Sequence, residues 1–166
     1  MFRGDNVVMT INLICIGKIT QKYYNDAMDE YKKRLSAYCK FNVISLSEAK
    51  IQNEESEKEI MSSLSIEADA IKKHIQKGIN VALCVEGTLF SSEDIAQTIK
   101  FAALDGSSQM NFIIGSSHGM HPDVKRLSDI KLSISKMTLP HQLCRVVLTE
   151  QIYRAFKINA NERYHK

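Results

Sequence analysis

SKMTLPHQLCRVVLTEQIYRAF, residues 135–156, sets one of the chain's two prolines between a polar turn and an apolar helix. Thr138-Leu139-Pro140 offers a capping hydroxyl followed by a residue whose φ is preset for a first turn, so a helix is expected from His141 to Ile158. Just before it, KLSIS (131–135) alternates apolar and polar residues as a last strand does. The helix is apolar on more than one side: Leu148, Ile152 and Phe156 form one stripe, and Leu143, Val146 and Val147 form another. One stripe suffices to cover a sheet, so the second is expected to meet another subunit. His141, Arg145 and Thr149 recur at four-residue steps, while Glu150 and Arg154 are spaced for an i,i+4 ion pair whose simplest role is a surface contact.

Upstream, Thr10–Gly17 (TINLICIG), Asn80–Val85 (NVALCV) and Met110–Gly115 (MNFIIG) are apolar runs of strand length that end at polar or glycine punctuation. Helical patterns lie between them, over Thr20–Tyr38, Glu54–Lys77 and Ser91–Leu104. Ser91-Ser92-Glu93-Asp94 puts hydroxyl caps and carboxylates at the positive end of the last of these, and Pro122-Asp123 starts a further helix. Strands alternating with helices predict an α/β fold with a mainly parallel sheet.

With 166 residues, 44% hydrophobic and 25% charged, the chain suits one soluble domain with a sizeable core. No apolar run is long enough to span a bilayer. Met1 to Val8 hold Arg3 and Asp5 and no apolar signal core, and are expected to be a disordered extension ahead of a single domain over residues 9–166. Cys15, Cys39, Cys84 and Cys144 are far apart, which favours reduced thiols and a cytoplasmic setting. His118 and His121 lack a ligand partner at zinc spacing, so no metal is expected. Between Glu48 and Asp69 seven acids face two lysines, whereas between His121 and Lys166 nine Lys or Arg face four acids. A polyanion would meet the C-terminal third, although solvated faces explain the same pattern.

Gly115-Ser116-Ser117-His118-Gly119 is a formal G-x-S-x-G after a strand, which would make Ser117 a nucleophile with Asp123 or Asp129 and with His141 or His165. The chain is short for such a hydrolase and lacks an HGGG-like loop, so the two glycines are read instead as bending the chain at a strand's C-terminal end, where open α/β sheets bind ligands. GxGxxG and GxxxxGK[ST] are absent. The tail, Glu162-Arg163-Tyr164-His165-Lys166, combines an aromatic ring, an imidazole and cations able to stack on a base and grip phosphate.

INLICIGKI, EGTLFSSEDIA, FIIGSSHGMHPDV, and above all LSISKMTLPHQLCRVVLTEQIYRAFKI with the terminal YHK, resemble the RlmH family of SPOUT methyltransferases from about Met9 to Lys166. The resemblance implies a parallel-sheet α/β domain with a deep C-terminal trefoil knot, a homodimer, and S-adenosylmethionine as cofactor. It implies methylation at N3 of a pseudouridine in a 23S rRNA hairpin on assembled ribosomes. Carried over, the donor site is Leu83, Gly115 and the turn Ile134, Ser135, Lys136, Met137, Thr138 and Leu139. Arg154, Tyr164, His165 and Lys166 are expected to hold the target nucleotide, with His165 as base and Arg154 and Tyr164 beside it. His141 is either part of this machinery or a structural histidine. Cys84, Thr88 and Ser116 stand where the family commonly has Asp, Lys and Gly, which bears on donor affinity rather than fold. An alternative from another class is a ribosome-binding protein with a decayed donor site.

Overall fold

In the computed structural model, which describes residues 8–164, five parallel strands form one sheet in the order β2-β1-β4-β3-β5. They are β1 (Thr10–Ile16), β2 (Lys40–Leu46), β3 (Ile79–Leu89), β4 (Gln109–Ile114) and β5 (Ile130–Ser133). The helices are α1 (Lys22–Leu35), α2 (Glu57–Lys72), α3 (Ser92–Leu104), α4 (Pro122–Leu127) and α5 (His141–Asn159). Buried strands read as near-continuous apolar runs because both faces are covered. Ile11, Leu13 and Cys15 of β1 point into a core with α3 and α5, while Ile14 and Ile16 point into a second core with Ala68 and Ile71 of α2 and Val124 of α4. The α/β expectation holds. Of the extension expected over residues 1–8, only Val8 is described, and it is exposed; residues 1–7 lie outside the described residues.

The β2 strand is absent from the sequence reading. Its apolar residues are interrupted, with Phe41 buried, Val43 and Ser45 open and only Ile44 and Leu46 packed on the second core, as suits an edge strand. A row of asparagines ties it in. Asn42 donates to Asn12 (2.9 Å), Asn12 to Asn111 (2.9 Å), and Asn111 to Asn80 (2.8 Å), crossing β2, β1, β4 and β3 at matched register positions. Asn80 then donates to the Ile75 carbonyl at 3.0 Å. Such a row penalises a one-residue slip, which would leave buried amides unpaired.

Helix starts follow the sequence with one exception. Ser91 and Asp94 form a reciprocal capping box on α3, and Ser56 accepts from the Glu59 amide on α2. At α5, however, the N-cap is Pro140 itself and no side chain caps it; Thr138 is exposed and does not serve. The helix is fixed by tertiary bonds instead. Arg145, buried, donates from Nη2 to the Ile16 carbonyl (2.5 Å) and from Nη1 to the Gly17 carbonyl (3.2 Å), tying the first turns of α5 to the end of β1.

Candidate functional site

A cavity of about 610 Å³ opens at the C-terminal edge of the sheet. Three segments wall it. The first is the end of β3: Leu83 and Thr88 both pair with Leu132, so residues 84–87 leave the sheet as a four-residue excursion. The strand returns only because residue 87 is glycine, since a Cβ there would sit 2.7 Å from the Leu132 backbone. Residues 114–120 after β4 form the second wall. A Cβ on Gly115 would lie 2.1 Å from the Gly119 carbonyl oxygen, and Gly119 has φ +94°. The space that Gly115 leaves is therefore occupied by its own loop, in keeping with a glycine that bends the chain at the strand's end.

The third wall runs from Leu132 past β5 to Cys144. Its turn is built by two serines: Ser133 donates to the Ser135 carbonyl (3.1 Å), and the Ser135 hydroxyl accepts from the Met137 amide (3.0 Å). Of the expected donor residues, Leu83, Gly115, Ile134, Ser135, Met137, Thr138 and Leu139 all line this one cavity. Lys136 is exposed and does not line it. Cys84 and the buried Ser116 line the cavity without filling it, while Thr88 lies beyond the excursion and outside it.

Spacing alone missed Glu86 and Lys125 on the wall. His141 also lines it; burial first, then the nearby Arg145 charge, hold its imidazole below its ordinary pKa, with Glu48 opposing. His141 is thus neutral at pH 7.

Arg154 and Tyr164 lie elsewhere. Arg154 contacts Glu150 Oε1 through Nε (3.0 Å) and Nη2 (2.6 Å), its guanidinium sits 4.7 Å from the Tyr164 ring centre, and the Tyr164 hydroxyl donates to Glu150 at 3.2 Å. Tyr164 packs edge-on against Tyr153, itself beside Tyr38 just before β2, so this cluster is near the N-terminal edge of the sheet. His141 and Arg154 are thirteen residues apart on α5, or about 20 Å along the helix axis. One chain therefore does not bring Arg154 and Tyr164 to the cavity. The Tyr164 phenol is pushed up to about 12, chiefly by burial and then by Tyr31 and Glu150, so it stays neutral. His165 and Lys166 lie outside the described residues.

Among the described residues no triad forms around Ser117. Its hydroxyl lies 3.3 Å from Nδ1 of the adjacent His118, while Asp129 accepts from the Asn80 amide at the opposite end of β3 and Asp123 is held by Lys72 and Arg126. His121 caps α4, accepting from the Asp123 amide. Among the described residues no three His, Cys, Asp or Glu side chains gather as a metal site, and no helix is long and apolar enough to cross a membrane.

A parallel sheet with helices on both faces and one cavity at its C-terminal edge, walled by a glycine turn and a serine-built turn, defines the class. Residues 9–165 match the family described as "Predicted SPOUT methyltransferase", and the chain belongs to that family. It is 46% identical over 159 residues to "Ribosomal RNA large subunit methyltransferase H" of Clostridium novyi (strain NT), covering 95% of this chain and 100% of that protein. The protein so named from Bifidobacterium animalis subsp. lactis (strain AD011) is also 46% identical, with the same coverage, and that of Bifidobacterium adolescentis is 44% identical. The "Crystal structure of putative methylase family protein from Neisseria gonorrhoeae" shows the same fold at TM-score 0.53 and 12% identity, over 91% of this chain and 84% of that one. The chain is a methyltransferase, and its family implies a methyl donor.

Proposed function

We propose that this chain methylates ribosomal RNA of the large subunit, using S-adenosylmethionine to place a methyl group on N3 of a pseudouridine in a 23S rRNA hairpin, in the cytoplasm and on assembled ribosomes. The observation that carries this is the 46% identity, over the full length of the relative, to an enzyme named for large-subunit rRNA methylation. The cavity suits the donor: its volume is within the range of small-molecule sites, and its apolar side chains alternate with backbone groups of tight turns that can read an adenine edge. Bound there, the donor supplies an electrophilic methyl group.

The chain's own residues then have two tasks, holding a uracil-type ring in line and accepting its N3 proton. His165 is the proposed base, with Arg154, Tyr164 and Lys166 holding the nucleotide. Arg154 contributes a fixed cation near a ring that gains negative charge as its proton leaves. Tyr164, neutral at working pH, donates or stacks rather than accepting a proton. Because Arg154, with Tyr164 against it, sits about 20 Å along α5 from the cavity end of its own chain, the working unit is a homodimer in which the tail of one subunit reaches the cavity of the other. The half-buried stripe of Leu143, Val146 and Val147 suits that interface. The return of the chain from edge strand β5 to α5, packed against both α1 and α3, is consistent with the C-terminal trefoil knot of the fold.

The test is transfer of labelled methyl from S-adenosylmethionine to ribosomes lacking the modification, with the product nucleoside identified by mass spectrometry. N3-methylpseudouridine in the hairpin is expected. A folded protein that binds the donor yet labels no rRNA, or labels another atom, overturns the substrate assignment.

A further inference from the structure

Among the described residues, the only titratable oxygen or nitrogen side chains on the cavity wall besides His141 are Glu86 and Lys125. Leu83, Ile114, Leu132 and Leu139 make the wall apolar, and hydroxyls and thiols complete it. Glu86 comes from the excursion out of β3 and Lys125 from α4, and the two form an ion pair across the gap between those elements. The hydrogen bond from Lys125 keeps the Glu86 carboxyl below its usual range, so Glu86 is ionised at neutral pH. As a stabilising contact this makes little sense: Glu86 is more than half exposed, open ion pairs contribute little, and the chain leaves the sheet for four residues to present it.

The arrangement does suit one kind of ligand. A wall carrying one carboxylate and one ammonium side by side is complementary to a group carrying an ammonium and a carboxylate on a single carbon. We propose that Glu86 and Lys125 form the subsite for the α-amino-acid end of the methyl donor, Glu86 accepting from the ligand's ammonium and Lys125 donating to its carboxylate. This rests on the reading of the cavity as the donor site. The adenosine part then lies against the apolar wall and the turns, so the two halves of the donor are held by different chemistry. The demethylated product keeps the same amino-acid end, so the subsite holds donor and product alike.

Calorimetry on the full chain with three ligands tests this: S-adenosylmethionine, S-adenosylhomocysteine, and 5′-methylthioadenosine, which lacks the amino-acid end. Glu86→Gln and Lys125→Gln should each weaken the first two by roughly tenfold and by equal factors, leaving methylthioadenosine within twofold of wild type. Retained methylthioadenosine binding also shows that the variants fold. Unchanged affinity for all three ligands overturns the proposal. So does a loss confined to S-adenosylmethionine, which would mean that Glu86 senses the sulfonium, or an equal loss of all three, which would mean that the excursion merely collapses. Failure of the wild-type chain to bind any of the three overturns the donor reading itself, and the subsite with it.

Discussion

The two ends of α5 are built for different work. At its start, Arg145 is buried and bonded to backbone carbonyls of β1, and the helix closes a cavity whose walls come from three separate segments. At its other end, Arg154 bonds to a side chain, Glu150, beneath a tyrosine that belongs to the C-terminal tail. The first arginine holds the fold together. The second is partly open and is held by a carboxylate and an aromatic ring, an arrangement that suits the proposed nucleotide contact. In the proposed function a methyl donor and a nucleotide must meet, yet the groups proposed for each lie at opposite ends of one helix, and the proposed homodimer, with a second copy of the chain running the other way, would close that separation.

The sharpest way to break this comparison is to separate the two ends genetically. Arg154→Ala keeps the cavity, and is expected to lower methyl transfer by about 100-fold or more with donor affinity unchanged. Gly115→Val places a branched side chain where the Gly119 carbonyl already sits, and should abolish donor binding while leaving the tail intact. If each site is shared between subunits, mixing the two inactive proteins after unfolding and refolding regenerates dimers with one complete site, so activity returns. Mixtures as inactive as their parents would place the whole site within one chain.

A smaller effect is expected far from both ends. Asn111 lies in the middle of the asparagine row, fully buried, with bonds to Asn12 and Asn80. Asn111→Ala leaves both neighbours with an unpaired amide group, which costs about 2–3 kcal/mol. For a chain of this size that is roughly 5–10 °C of melting temperature. Donor affinity at low temperature should not move. A variant that melts normally but binds donor poorly would show that the row transmits to the cavity, and the separation between scaffold and site would fail.

These cases show what the sequence could reveal. Apolar runs with helical patterns between them exposed β1, β3 and β4, because buried parallel strands carry an uninterrupted signal, and the alternation of residues 131–135 exposed β5; β2 stayed hidden, because an edge strand with one open face breaks its own pattern. The asparagine row was invisible, since its members are separated by 30 to 99 positions and pair only once register is set. At the site, the turn at 134–139 came from the family resemblance and not from the residue pattern, and Glu86 and Lys125 were not legible at all, because an excursion inside a strand has no signature beyond Gly87. Family resemblance supplied Arg154 and Tyr164 as residues, yet only the fold showed how far they stand from the cavity.

The weakest expected effect concerns Glu67, which ties the back of the cavity loop to α2. It is nearly fully buried, its Oε1 accepts from the Ala49 amide at 3.1 Å, and it faces Ser116 and His118 of the loop and Glu48 beside Ala49. Burial, the largest influence, raises its pKa above 4.5; the Ala49 amide, Ser116 and His118 pull it down, and Glu48 pushes it up. A carboxyl that binds its proton more tightly in the folded state adds stability that is complete below the unfolded value and is lost as pH rises through the folded one. Glu67→Gln stays neutral and keeps an acceptor for Ala49. Its stability relative to wild type should therefore climb as pH rises from below 4.5 through the raised pKa, then level off. Urea unfolding of both proteins across that range measures the difference directly. A flat difference, or one that falls with pH, would mean that Ser116 and His118 compensate the buried charge, making Glu67 an ionised member of the loop's electrostatics and binding the scaffold more closely to the site than the two ends of α5 suggest.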